Sequence, residues 1–337
     1  MKKSIHSLLI LLAGIMFSQP SLGQDPRLGH YFMAPMVTNP AMMGRNVGDW
    51  RALATYRSQW QGSGTEPFTT TFVSLEKNLL GAGAKNQLTG GAMFMTDASN
   101  GGLLKHNNFG VGAAYHSTLD GAGKHMLSGG LTFNYMSRLL DAGKFQFGSQ
   151  LGSGGYQPVI NPNDGVVIPK LDNFDVNAGL LYQYQGESSG FYGGVGYFHA
   201  ARPIEGAYYN SSYSIDPRLS VQAGYQLKTD ANGSQLAVSS LFEQQGGYNQ
   251  FTAGLLYKIG FSQNVTALNS VNVGVWDRFG DAIYPYLGLE GNQWLLGFSY
   301  DVITSKMAGT SLQSFELSFG WQFGKNAGVR KGGVVQY

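Results

Sequence analysis

Cysteine is missing altogether from the 337 residues. Its absence removes disulfide scaffolds, thiolate nucleophiles, Cys-ligated metals and a lipid anchor on an N-terminal cysteine. Charge is scarce too. Asp, Glu, Lys and Arg make up 12% of the chain, about half of the ~25% usual in soluble globular proteins. Net charge is +2, and without Lys2 and Lys3 the two signs balance, so there is no basic footprint for nucleic acid. Beyond the first two dozen residues no stretch approaches 18 apolar residues, so no transmembrane helix is expected. In place of charge there is glycine, 49 residues where ~7% usage predicts about 24, and an aromatic content of 13%. Low charge with abundant aromatics argues against disorder, coiled coil and an ordinary water-facing enzyme domain.

Residues 1–23 read as a secretory signal peptide. Lys2 and Lys3 form a basic start, Leu8 to Phe17 an apolar run, and Ser21 and Gly23 a small-residue cleavage region. The apolar run is too short to span a bilayer as a helix, which needs about 20 residues. The mature chain is expected to begin near Gln24. An exported chain without spanning helices is either soluble outside the cytoplasm or a membrane β-barrel.

Alternation of period two decides between them. Phe315, Leu317, Phe319, Trp321 and Phe323 fall on one face of a strand, while Ser314, Glu316, Ser318, Gly320 and Gln322 fall on the other. The pattern recurs at Leu219 to Leu227, Phe251 to Ile259, Trp294 to Tyr300 and Leu127 to Tyr135. Marking every such run gives fourteen strands, near 50–60, 67–79, 87–97, 106–118, 125–139, 174–185, 190–200, 218–228, 234–243, 250–260, 270–279, 282–290, 292–301 and 313–323. These lengths suit tilted spanning strands of ~9–11 residues, and an even count puts both chain ends on the periplasmic side. The connections after strands six, eight and twelve are short, and the longest, about 140–173 and 201–217, follow strands five and seven. A soluble Gly-rich sandwich or propeller also alternates, but would carry a charged outer face. The expected fold is therefore all-β: a transmembrane antiparallel barrel over 50–323, preceded by a plug-like segment over 24–49 and followed by a tail over 324–337. Only a few charged positions, such as Arg138, Lys258, Arg278 and Glu316, are expected to face inward.

Several motifs resemble the PorP/SprF family of type IX secretion system membrane proteins. They are Gln24-Asp25-Pro26, Tyr31, Pro35, Asn39-Pro40-Ala41 with Gly44, and Tyr56-Arg57-Ser58-Gln59-Trp60. The series continues through Phe68 to Ser74, Phe147 to Gln150, Arg278 to Ala282, Gly297 to Asp301 and Phe315 to Phe323, covering nearly the whole mature chain. Met42 and Met43 depart from the family, which usually has an aromatic and a small residue there, and a tail follows the terminal aromatic Phe323. The resemblance implies an outer-membrane barrel of the secretion apparatus. Its implied partners are outer-membrane lipid, the periplasmic secretion ring, a peptidoglycan-associated subunit, or a secreted adhesin of gliding motility.

Catalytic patterns are thin. There is no His-Glu-x-x-His helix, Gly-x-Ser-x-Gly elbow or phosphate loop, and nothing calls for a cofactor or metal. His116, His125 and Asp120 sit near one turn, but as polar groups of a lumen they need no further role. The Pro- and Met-rich stretch from Asp25 to Gly44 lacks alternation and cannot pair into the wall easily. It is expected to enter the periplasmic mouth or lumen as a partial plug, with Tyr31, Phe32 and Met33 against the inner wall; a disordered linker is the alternative. The long connections carry Tyr156, Arg202, Tyr208 and Tyr209, residue types that anchor interfaces, and are expected to hold a partner; a lid is the alternative. The reading is a non-enzymatic binding or anchoring barrel of type IX secretion, with a passive diffusion porin as the alternative.

Overall fold

The computed structural model describes residues 25–44, 48–62, 64, 66–80, 86–141, 148–152, 155–157, 170–208, 211–230, 233–261, 268–306 and 312–324. The expected signal peptide, most of the tail, Tyr209 and much of the 140–173 connection lie outside them.

Fourteen antiparallel strands close into one barrel. They are β1 (Trp50–Gln61), β2 (Phe68–Leu80), β3 (Asn86–Ser99), β4 (Leu104–Thr118), β5 (His125–Leu140), β6 (Leu171–Gln185) and β7 (Ser189–Phe198), followed by β8 (Arg218–Lys228), β9 (Gln235–Gln245), β10 (Tyr248–Gly260), β11 (Leu268–Arg278), β12 (Ala282–Gly291), β13 (Trp294–Ile303) and β14 (Gln313–Phe323). Each pairs with its neighbour in sequence, and β1 pairs with β14 from Trp50 opposite Phe323 to Gln61 opposite Gln313. Closure leaves no unpaired edge. Every strand end falls within three residues of the position read from the sequence. The seam is marked by Trp50 stacked on Phe323 at 5.9 Å, with the Lys77 ammonium 4.7 Å from the Trp50 ring.

Alternation sorts the two faces in the sense opposite to a soluble protein. On β5, Leu131 and Phe133 are 49% and 57% exposed, while Thr132 and Asn134 between and beside them are buried. On β14 Leu317, Phe319 and Trp321 are exposed and Ser314, Glu316 and Ser318 are buried. An apolar outside around a polar inside is stable only where hydrocarbon is the solvent. Among the described residues no helix is long and apolar enough to cross a membrane.

The inner face carries far more charge than the few positions expected. Arg57, Glu76, Asp175, Arg218, Glu243, Lys258, Arg278, Glu290, Asp301 and Glu316 are all buried within the wall. A soluble fold rarely tolerates this, but here each of these charges pairs with another ionisable group inside the barrel.

The two ends of the barrel differ. At one, the turn end, β1 begins and β14 finishes. The other, the loop end, carries the two longest connections, after β5 and β7. Parity is not uniform, since the links after β9 and β11 at the loop end are as tight as any turn. Two short ribbons stand within the long connections, Leu151–Gly152 with Gly155–Tyr156 and Ile204–Tyr208 with Ser211–Ser214.

Candidate functional site

Residues 25–44 occupy the inside of the barrel. Asp25 meets β8, β9 and the residue after β7 at the loop end, and Gly44 meets β2 and β3 at the turn end. The segment thus runs through the lumen from one end to the other, rather than entering only at the mouth from which β1 starts. It is built from three single turns, Tyr31–Met33, Pro35–Thr38 and Pro40–Met42, with Pro35 and Pro40 each opening one. Proline fits the first helical position, where its missing N–H is not needed. Asn39 caps the third turn, its Oδ1 accepting from the Ala41 amide at 2.9 Å.

Its apolar side chains form the centre of the molecule. Tyr31, Phe32, Met33 and Met36 pack with Phe72, Met93, Leu256, Trp276, Tyr284 and Tyr286 of the wall. Phe32 lies 5.5 Å from Trp276 and 5.7 Å edge-on to Tyr286. Tyr31 donates to Ser239 Oγ at 2.7 Å, and burial pushes its phenol up to about 12, so it stays a neutral donor. The two methionines that depart from the family pattern, Met42 and Met43, are both buried against the inner wall.

Several wall features hold the backbone of this segment. The first is a bed of glycine on β5, β6 and β7. A Cβ at Gly130 would lie 2.5 Å from the Ala41 nitrogen, and one at Gly179 would overlap the Asn39 side-chain oxygen. Only glycine at these two sites lets Asn39-Pro40-Ala41 settle on the wall, where Asn39 Nδ2 donates to the Leu180 carbonyl at 3.0 Å. The second is Glu316. Its carboxylate accepts from the Gly29 amide at 2.6 Å and the His30 amide at 2.7 Å, and pairs with Arg57 at 3.2 Å. Arg57 in turn pairs with Asp301 at 2.8 Å, which also receives Arg278. The His30 ring sits between Ser318 and Ser299 at 2.9 and 2.8 Å. Burial lowers its pKa below 6.5, so it is a neutral ring bridging two hydroxyls. At the turn end Glu76 accepts from the Gly44 amide at 2.7 Å and pairs with Arg51 at 2.7 Å.

At the loop end charges converge on Asp25. His199 Nε2 lies 2.8 Å from Asp25 Oδ2, and Arg218 Nε 2.9 Å from the same oxygen. His199 Nδ1 lies 2.9 Å from Asp175 Oδ2, an ion-pair contact that is not an aligned hydrogen bond. Arg218 also pairs with Glu243 at 2.6 Å and donates to the Val37 carbonyl at 2.8 Å. Burial disfavours the His199 cation, but the Asp25 and Asp175 carboxylates outweigh it and raise its pKa to about 9. Burial likewise opposes the Asp25 charge, while His199 and Arg218 hold its pKa well below the ordinary carboxylate value.

Above this floor the loop end opens into a vestibule of about 480 Å³, walled by Asn108, Asn134, Arg138, Phe198 and Tyr248 and by Trp60 at its rim. Amides, aromatics and arginines in a concave mouth suit a polypeptide or another polar ligand better than a lipid chain.

The residues singled out from sequence divide clearly. Asp25, Tyr31, Pro35, Asn39, Pro40, Gly44 and Arg57 come together in the lumen, and Pro26 and Gln59 line the vestibule. Trp60, at φ 59°, stands at its rim edge-on to Phe68 at 4.9 Å. Tyr56 is not part of this set. It faces outward, 38% exposed, because its position in the alternation is opposite to that of Arg57. Arg202 is exposed in the turn after β7, its amide donating to the His199 carbonyl. Tyr156 and Tyr208 end short ribbon strands, and Tyr209 falls outside the described residues. His116 and His125 have separate partners, Ser128 at 2.8 Å and Tyr182 at 2.6 Å. Sequence reasoning missed Glu76, Asp175, His199, Arg218, Glu243 and Asp301. For those within the strands the available signal was a charge on the polar face of an alternating run.

Over residues 21–321 the sequence matches the family described as "Type IX secretion system membrane protein PorP/SprF". No curated protein matches it. Among solved structures the chain is similar to a FadL homologue of Pseudomonas aeruginosa, at 11% identity and a TM-score of 0.51 over 86% of this chain and 94% of that one. It is also similar to the translocator domain of the autotransporter NalP from Neisseria meningitidis, at 14% identity and a TM-score of 0.43 over 87% and 96% of the two chains. A third is the P. putida toluene transporter TodX, at 9% identity and a TM-score of 0.47 over 86% and 94%. At these identities the first likeness is one of fold alone, that of an outer-membrane β-barrel.

Proposed function

Because the chain belongs to the PorP/SprF family of type IX secretion system membrane proteins, we propose that this outer-membrane barrel is a self-plugged, non-enzymatic anchor in that system. The observation that carries the reading is the filling of the lumen by the barrel's own residues 25–44, tied to the wall at both ends and at mid-height. A diffusion pore needs a continuous water path. The packed apolar centre around Phe32, Trp276 and Tyr286 supports an interrupted path here. What is left for function is the two ends. The loop end, with its vestibule and its connections after β5 and β7, offers a surface for a secreted or adhesin-type partner outside the cell. The turn end faces the periplasm and is available to the secretion ring or a peptidoglycan-associated subunit. The apolar outer face fixes the height of both surfaces in the bilayer.

The test is electrical and chemical together. In planar bilayers the wild-type barrel is expected to show no steady conductance, and a chain lacking residues 25–44 to show open-pore steps; a steady open pore in the wild type would favour the passive porin. Crosslinking in intact outer membranes is expected to capture partner chains through loop-end positions, and to lose them when the connection after β5 is cut to a short Gly-Ser turn. Undiminished capture by that variant would make the connection a lid.

A further inference from the structure

The cluster around Asp25 is a joint of a different kind from the others that hold the inner segment. Glu316 and Glu76 grip backbone amides, and the glycine bed grips by shape. Asp25 is held by side-chain charges, with the Gln245 amide oxygen accepting from the Asp25 backbone amide at 2.9 Å. It lies at the floor of the vestibule, where Asp25, Pro26 and Arg27 line the cavity and Leu28 packs against the apolar centre, so that residues 25–28 form a strap.

The charges around His199 come from every neighbouring element. Asp25 and Arg27 belong to the strap, Asp175 to β6, Arg218 to β8 and Glu243 to β9. Across the cavity stand His106 of β4 and Arg138 of β5. With His199 protonated, the three cations His199, Arg218 and Arg27 meet the three carboxylates Asp25, Asp175 and Glu243. Both ring nitrogens of His199 lie within 3 Å of a carboxylate oxygen, at 2.8 and 2.9 Å. A neutral ring has one N–H, so its lone pair would face one of those carboxylates. The wall also strains to present this ring, since His199 sits at φ 59°, a region that costs a residue with a side chain.

We propose that the His199 imidazolium is a latch for residues 25–28, so that loss of its single positive charge releases the strap into the vestibule while residues 29–44 stay seated. Opening the strap reshapes the vestibule floor above the packed centre, which stays closed, so the latch regulates how a ligand seats from the loop end. The proposal rests on the reading of 25–44 as a plug, and the experiment separates the two.

The chain has no cysteine, so one introduced thiol reports one site. Full-length barrels carrying Pro26→Cys or Met36→Cys, in detergent or proteoliposomes, are treated with a water-soluble maleimide at neutral pH. Adding His199→Gln or Asp25→Asn is expected to speed labelling of Pro26→Cys by about tenfold or more, as for loss of a buried charge partner that gates local opening, and to leave labelling of Met36→Cys slow. Unchanged rates for Pro26→Cys in both backgrounds overturn the latch. Fast labelling of Met36→Cys in the otherwise unaltered barrel overturns the plug reading itself. Should neither charge variant form a barrel, hydrogen exchange of the wild-type peptide over residues 25–28, corrected for intrinsic rate, decides the matter. Protection lost between neutral pH and pH values above about 9 supports the latch, and protection flat over that range overturns it.

Discussion

At the scale of single residues, the inner segment is held by groups that cannot be exchanged for near relatives. Glu316 accepts two backbone N–H groups and pairs with Arg57. Glu316→Ala leaves a buried guanidinium short of a partner, and should destabilise the barrel by ~3–5 kcal/mol, read from chemical unfolding in lipid or detergent. Gly130→Val places carbon where the Ala41 backbone lies, so residues 35–44 should lose protection from hydrogen exchange; Gly193→Ala, with nothing within 4 Å of the added carbon, should fall within about 0.5 kcal/mol of wild type. The Asp25–His199 pair has a definite pH window. His199 is raised from 6.5 to about 9, so its contribution is complete below 6.5 and fades as pH rises through about 9. Asp25 is depressed, so its contribution is complete above its ordinary 3.8 and persists some way below it as pH falls. The pair is therefore strongest between about pH 4 and 6.5, and the exchange protection of residues 25–28 should peak there.

At the scale of elements, each strand divides its residues between lipid and lumen. A charge at a lipid-facing mid-strand position has no water to meet, so Leu131→Arg should cost ~2–4 kcal/mol in bilayer unfolding experiments. Strand boundaries were legible because period-two alternation and turn residues leave a pattern in the sequence. The same pattern separates Arg57, which joins the ion pairs inside, from Tyr56, which meets the membrane: adjacent residues in one strand point to opposite faces. The inner segment was legible only as an exception, a Pro-rich stretch without alternation. Its three short turns and their seats on β5 to β7 depend on contacts more than 80 residues away in sequence, as between Pro40 and Gly130.

At the scale of the whole molecule, the barrel joins two unlike ends through a filled centre. The packed core around Phe32 and Trp276, with ion pairs above and below it, is expected to make the protein electrically silent until residues 25–44 are removed. It also fixes the geometry of the vestibule floor, so partner retention at the loop end should weaken in Glu316→Ala even though Glu316 lies below that surface. Crosslinking yield from loop-end positions checks this, and an undiminished yield would uncouple the floor from the partner surface.

What the amino-acid order determined by itself was the choice of solvent and the number of strands. Low charge, glycine in place of bulk and fourteen alternating runs admit few solutions other than a closed wall in lipid, because an open sheet edge there would leave backbone groups unpaired and no run beyond the first two dozen residues is long and apolar enough for a spanning helix. Which charges meet was decided only by closure. Asp25 reaches His199 and Arg218, and Gly29 reaches Glu316, across separations of 174 to 287 residues. No local pattern encodes a pairing between the start of the chain and the far side of a ring. It follows from shear, strand count and the space that glycine leaves inside, which exist only once β1 has found β14.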